Sequence, residues 1–531
     1  MRTRSTLVTL ALAAVLAVPA TASAQEHTLG PASEAPASDH TLGPAPEQAL
    51  HRGFLVPSQA EYAKAKREAG GRHQTETVDE GPLAPTIARG WNGLFDASRA
   101  PSDSTSSVGT TRFIEIVNSK FGIYNKTSST PTATGLLSVL AGFDGNVFDP
   151  QIMWDGQTNR FYYAMDMVIS ESDNRLAFGF SKTASPSSAA DFCQYWITYG
   201  AKFPDYPKLG DTQNFMLFGY NSYDAAGAFS GSEMAWVTKP AAGTTCPDAS
   251  TFKFGIQASL RDASGAGTFT PVPANQLDPS TTGYAVARTL SLPSTRMMVH
   301  TITRNTDGTA NINPVARAVT VPSYTVPANA KQKSPSTKVL DTSDARPTQA
   351  VQAIDPARGG GAGVALWTQH TTLGGAGAEV RWYEIRPGVT PATLWQSGKA
   401  TSPSYFAFNG AISPDRVVNG TTRAFGQSMV LGFDTSSTTT FPAVRQISKV
   451  GTAAASAHQL VHASPGNYFG FDCAGADNDC RWGDYAGASP DPVKASADAT
   501  RGRIWSTSQF ASGATSTAQA NWRSWNWIAT P

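Results

Sequence analysis

Two short runs concentrate acid, phenol and cation: Asp205-Tyr206-Pro207-Lys208 and Arg481-Trp482-Gly483-Asp484-Tyr485. In such mixtures neighbouring charges shift pKa values and side chains can move protons. Two carboxyls flanking a glycosidic bond suffice to hydrolyse it, so Asp205 and Asp484 form the expected acid/base pair. An alternative chemistry is elimination on a uronate. Tyr206 or Tyr485 would then take the proton, and Arg346, Arg481 or Lys208 would neutralise the carboxylate. A plainer reading competes with both: strand-end aspartates often accept backbone N–H groups and fix the register of neighbouring strands.

The two runs lie far apart in the chain, so a fold must bring them together. From about Ala88 onward the pattern is strand after strand, with alternating apolar residues broken by Gly, Pro, Asn and Asp. The strands recur in similar units. FDPQIMWDGQTNRFYYAMD begins at Phe148, PDYPKLGDTQNFMLFGYN at Pro204, ARPTQAVQAIDPARGG at Ala345 and FNGAISPDRVVNGTTRAFGQS at Phe408. RWGDYAGASPDPVKASADATRGRIWSTS follows from Arg481, and weaker copies start at Pro101 and Thr281. Each pairs a polar start with a strand, a turn and a second strand. The starts are spaced roughly 47–77 residues apart, which suits a four-stranded blade. The expected fold is therefore all-β, a seven-bladed β-propeller, or six-bladed if the Thr281 copy is spurious. NWRSWNWIA should complete the ring beside a strand near Gly90–Phe95.

In that fold the starts of the innermost strands converge on one mouth of the central channel. Asp103, Asp149, Asp205, Thr281, Arg346, Asn409 and Asp484 should form a ring there. Asp149, Asn409 and Trp482 are the expected substrate contacts, Trp482 by stacking on a sugar. Trp154 is the better fit to core packing.

VGTTRFIEIVNSKFGIYNK, FDPQIMWDGQTNRFYYAMD, FPDYPKLG and RWGDYAGASPDP together resemble a group of secreted bacterial β-propeller proteins of the broad sialidase-like, BNR-repeat class. The resemblance runs from about Pro101 to the C-terminus. It implies the fold more than an activity, since many members have none assigned. The sequence departs from true sialidases: it has no S-x-D-x-G-x-x-W box, and Tyr383-Glu384 sits in a strand-like run instead of an identifiable nucleophile pair.

Residues 1–24 read as a signal peptide, with Arg2 and Arg4, an apolar stretch and Ala22-Ser23-Ala24. Secretion is expected, to the extracellular space or periplasm. Residues 25–87 read as a flexible linker or pro-segment, in which Ser58 and Glu61 could start one short helix. Residues 88–531 form the propeller domain. An exported chain favours disulfides. Cys473 and Cys480 bracket one loop, which leaves Cys193 and Cys246 to pair; free thiols are the alternative.

No cofactor is required by any motif. Calcium is possible at Asp477-Asn478-Asp479, where oxygen ligands cluster, although a solvated turn explains them too. His458 and His462 lack the H-E-x-x-H pattern of a zinc site. With a net charge of +1 over 531 residues and only 15% charged residues, nothing suggests nucleic acid. No later apolar run would span a membrane, and a monomer is expected. The expected partner is an extracellular polysaccharide or glycoprotein glycan, which the protein would cleave as a glycoside hydrolase or polysaccharide lyase. A non-catalytic propeller that binds a glycan or a protein at the cell surface is the alternative.

Overall fold

The computed structural model describes residues 27–31, 55–72, 84–143, 145–241, 243–358, 363–474, 479–513 and 519–531. The signal-peptide reading and the residues Asp477 and Asn478 lie outside them.

Alternating apolar residues separated by tight turns give antiparallel strands that bury both faces against neighbours. Among the described residues, seven sheets have four strands or more, and successive strands lie side by side in most of them. Their first strands are Thr105–Val108, Asn146–Asp155, Phe203–Asp211, Thr268–Pro273, Pro347–Ile354, Phe406–Pro414 and Gly487–Pro490. Each first strand touches that of the next sheet, and the seventh touches the first, so these strands form a closed ring. The fold is mostly β and propeller-like. A small cavity of about 40 Å³ lies between these strands, walled by neutral groups such as Ser106, Gln151, Asn275 and Gln349.

The fourth unit corrects the sequence reading. Thr281 is an exposed loop residue leading into Gly283–Thr289, the second strand of its sheet. The channel-side strand is Thr268–Pro273, which has no acid at its start and so escaped the comparison.

The seventh sheet takes its strands from both ends of the described chain. Trp522–Thr530 pairs with Ile504–Ala511 on one side and with Thr86–Asn92 on the other. This is the closure expected for NWRSWNWIA. Glu115 fixes the junction. Its buried carboxylate accepts from the Leu94 N–H (3.1 Å), Tyr124 (2.8 Å), Asn526 (2.8 Å) and Ser524.

Asp155, Asp211, Asp415 and Asp491, in the turns of four units, tie neighbouring sheets together. Asp155 and Asp211 share the ammonium of Lys239 at 2.8 and 2.6 Å. Asp491 accepts from Lys126 of the first sheet at 2.5 Å, and Asp415 from the Gly502 N–H at 3.2 Å. All four carboxyl residues are buried. Disulfides join Cys193 to Cys246 and Cys473 to Cys480.

The stretch expected to be a flexible linker has ordered parts. Leu29–Pro31 adds an edge strand to the second sheet through Tyr195–Ile197. Gln59–Gly70 is a helix, with Ser58 as N-cap accepting from the Glu61 N–H at 3.3 Å. No helix among the described residues is long and apolar enough to cross a membrane.

Candidate functional site

A recurrent kink builds the channel mouth. Asp103, Asp149, Tyr206, Thr270, Ala345 and Asn409, at or near the starts of six of the first strands, all have positive φ, between 42° and 68°. Each such non-glycine residue costs on the order of 1–3 kcal/mol and persists only where its surroundings hold it. Side chains of the preceding sheet do so. Asn118 accepts from the Asp149 N–H (2.9 Å), Asn221 from the Thr270 N–H (2.8 Å) and Thr371 from the Asn409 N–H (3.2 Å). The strand register shifts at these bulges, which turns the adjoining side chains toward the mouth.

Four of the expected residues assemble around stacked phenols. The rings of Tyr206 and Tyr485 lie 4.7 Å apart at 29°. The Lys208 ammonium sits 3.8 Å and 3.6 Å from their centroids, and the Arg346 guanidinium lies 4.6 Å from the Tyr206 ring. Lys208 is buried, and its Nζ has no hydrogen-bond partner among the described residues. Burial holds its pKa well below the usual lysine range, opposed first by Asp149 and Asp484. Arg346 is buried as well, gripped by Asp344 at 2.8 and 3.1 Å.

Both phenols are donors. Tyr206 donates to the Asp484 carbonyl at 2.7 Å, and Tyr485 to Asp149 Oδ2 at 3.0 Å. Burial first, helped by nearby carboxylates, pushes both phenols well above their ordinary range. Asp103 has both oxygens engaged, by the Asp484 N–H (2.8 Å) and Asn118 Nδ2 (2.6 Å), so it rivets the first sheet to the seventh.

Asp205 differs from every other acid at this mouth. It is partly exposed and accepts no hydrogen bond from the described residues. Burial raises its pKa well above the usual carboxylate range; Arg346 opposes this, and Asp149 and Asp484 add to it. Asp484, also partly exposed, holds the Arg481 guanidinium at 2.5 Å. Its pKa is raised to about 6 by burial, against the pull of Arg481. The mouth thus sets one carboxyl that resists ionisation near another that ionises near neutrality.

Two expected substrate contacts have other duties. Trp482 is buried, donates to Asp434 Oδ2 at 2.8 Å and packs on Phe408 and Tyr468, so it offers no face to a sugar. Asn409 donates to the same Asp434 oxygen at 2.9 Å, although it also lines a small pocket with Asp341, Arg346 and Asp484. Asp149 stays partly exposed at the mouth. Trp154 is a core residue against Phe161.

Several groups escaped the sequence reading. Asp166 is fully buried, neither carboxyl oxygen has a hydrogen-bond partner among the described residues, and burial with Asp149 and Asp205 pushes its pKa well up. Its signal was a lone charge in the apolar run FYYAMDMVIS. Asp341 and Asp344 precede Arg346 in LDTSDAR, a cluster that could have been noticed. Thr270 shares a Phe-x-Pro pattern with Asp149, in Phe269-Thr270-Pro271 and Phe148-Asp149-Pro150.

The histidines and Glu384 serve the scaffold. His458 bonds Tyr405 at 2.7 Å, while His462 stacks on Trp525 at 3.7 Å. Tyr383 bonds His370 at 2.9 Å, whereas the neighbouring Glu384 bonds Arg358 at 2.6 Å. Among the described residues no group of three His, Cys, Asp or Glu could hold a metal ion. Asp479 is exposed and accepts from Asn329 at 2.9 Å.

No family model matches the sequence, and no curated protein does. Solved structures give distant likenesses to propeller proteins. The Drosophila semaphorin 1b extracellular domains 1–2 align over 84% of this chain and 87% of their own, at 6% identity and a TM-score of 0.36. The endo-1,5-α-L-arabinanase of Thermotoga petrophila aligns over 84% and 99%, at 9% identity and 0.28. The Xanthomonas citri GH43_1 enzyme complexed with xylose aligns over 64% and 96%, at 8% and 0.29. These likenesses concern strand arrangement, and no role is assigned to a residue here from them.

Proposed function

We propose that the protein is a secreted, seven-bladed β-propeller that hydrolyses an extracellular glycan at this mouth. Seven sheets with first strands in a closed ring support the blade count. The two disulfides suit an oxidising compartment. The observation that carries the chemistry is Asp205, a carboxyl open to the mouth that accepts no hydrogen bond from the described residues and is shifted toward its protonated form near Asp484. Surroundings that separate two carboxyls in this way assign their roles. Asp205 gives its proton to the leaving glycosidic oxygen, and ionised Asp484 activates water or attacks the anomeric carbon. Arg481 keeps Asp484 ionised.

Elimination by a tyrosine base has less support. Tyr206 and Tyr485 hold their protons firmly and already donate them, and Arg346 and Arg481 are already paired with carboxylates.

A panel of glycans assayed for new reducing ends and for unsaturated uronates tests this. Reducing ends alone are expected, lost in Asp205→Asn while the melting temperature holds. Unsaturated products would replace hydrolysis by elimination. Glycan binding without any turnover would instead make this a binding propeller. That second reading draws on the cross-sheet hydrogen bonds in which Asp103, Tyr206 and Tyr485 already take part. If Asp205→Asn and Asp484→Asn unfold the protein, their role is structural.

A further inference from the structure

The helix Gln59–Gly70 stands on the mouth without belonging to any sheet. Its approach to the ring is mainly polar. The Lys66 ammonium reaches Thr342 Oγ1 at 2.9 Å and Asp341 Oδ1 at 3.3 Å. Tyr62 donates to the same Asp341 oxygen at 3.0 Å, and the Leu55 carbonyl accepts from Arg346 Nη2 at 2.9 Å. Of the apolar side chains in this segment only Val56 and Ala69 are buried. A helix of this length is marginal on its own, and this one has little apolar burial to hold it.

The helix rests on the loop Asp341–Arg346, which leads into the fifth first strand and shares a pocket with Asn409 and Asp484. If the helix left, the hydrogen bond to Asp341 Oδ1 remaining among the described residues would be that of the Ser343 N–H, at 3.0 Å, with the positive charge of Arg481 still nearby. A carboxylate shielded by the fold would then face the pocket with most of its donors gone, and such a group favours a new cationic donor. The seat is shaped for an ammonium because an ammonium already occupies it.

We propose that residues 55–70 act as a tethered stopper of the mouth, and that the Asp341–Thr342 seat under Lys66 is a subsite for the primary ammonium of an amino sugar. The inference rests on the mouth being a glycan site, and it names the sugar class and the regulation of that site. Occupation in cis lowers the apparent affinity for an external ligand by the fraction of time the seat is free.

Calorimetric titration tests this with full-length wild type, Lys66→Ala and Lys66→Ala/Asp341→Asn. The probes are a glucosamine oligosaccharide and its N-acetylated counterpart, at about pH 6, where amines stay charged. Lys66→Ala should bind the amine oligosaccharide about tenfold more tightly than wild type and the acetylated one no more tightly. The Asp341→Asn change should cancel the gain. Amide exchange over 59–70 should quicken in Lys66→Ala while the sheets stay protected; Tyr62→Phe gives a milder variant with the same expected direction if Lys66→Ala folds poorly. Unchanged exchange makes the helix a fixed wall and overturns the proposal, as does equal gain for both probes or gain that survives Asp341→Asn. Failure of both probes in every variant also overturns it. Hydrolysis of an uncharged glycan by wild type, lost in Asp205→Asn, would in that case still support the acid pair.

Discussion

Replacing Arg481 by Met should move the titration of Asp484 upward. In the folded protein Asp484 sits at about 6, raised by burial and held down chiefly by Arg481, whose Nη2 lies 2.5 Å from Oδ2. Asp341 and Asp149 also push it up, and Arg346 pulls it down. An opposite charge at this range typically lowers a carboxyl pKa by about 1–3 units, so its loss should place the midpoint at roughly 7–9. Near pH 7 wild-type Asp484 is about nine-tenths ionised, whereas the variant carboxyl would be at most about half ionised. At about 1.36 kcal/mol per unit, ionising Asp484 becomes about 1.4–4 kcal/mol harder. The stability sign follows from the same shift. A carboxyl whose folded pKa exceeds its unfolded value near 3.9 loses stabilisation as pH rises between the two, through about 6 in wild type and on to the higher midpoint in the variant. Carbon-detected NMR of labelled aspartates reads the midpoint directly, with Asp484→Asn for assignment, and denaturant unfolding across pH reads the linkage. Once a substrate is in hand, the acid limb of the rate profile should move with the midpoint. A midpoint that stays within about 0.5 unit of wild type, or falls, refutes the claim that Arg481 sets this group.

Lys239→Met would leave Asp155 and Asp211 buried without their shared cation, at a cost of about 3–5 kcal/mol at neutral pH. The cost should shrink as pH falls toward about 6, because Asp211 titrates there with Lys239 present and higher without it; a loss below about 1 kcal/mol in urea unfolding would contradict the tie. Asp166→Asn replaces a carboxyl that burial keeps protonated, so its stability relative to wild type should improve as pH rises, and a uniform loss at every pH would mean Asp166 has a specific partner. Removing Cys193–Cys246 as a Ser pair should cost about 4 kcal/mol, given a sequence separation of 53, as read by thermal unfolding with and without reductant.

The architecture was readable because a closed ring repeats its needs. A polar residue stands near the start of each channel strand and an acid near most of the following turns, so Asp149, Asn409 and Asp484 could be aligned across hundreds of residues. The fourth unit failed because Thr270 holds the same kinked backbone without an acid, and only the Phe-x-Pro pattern betrays it. Which members of the ring are free was not readable. Asp103 and Asp205 look alike in sequence, but the partners of Asp103 come from Asn118 and the Asp484 N–H, set by sheet packing, while Asp205 finds none. Trp482 was misjudged for the same reason, since Asp434 claims its indole from another sheet. Ser58 and Glu61 announced the helix, whereas its place on Asp341 depends on contacts to residues some 275 positions away.

The pairing of Thr86–Asn92 with Trp522–Thr530 also has a consequence for biosynthesis. Thr86–Asn92 leaves the ribosome long before its partner strand Trp522–Thr530 is made. Until then an early strand must wait with its edge unpaired, open to other chains. The ring therefore cannot close on a truncated product, and a chain lacking residues 522–530 should be caught by proteolysis or aggregation instead of passing as a finished molecule.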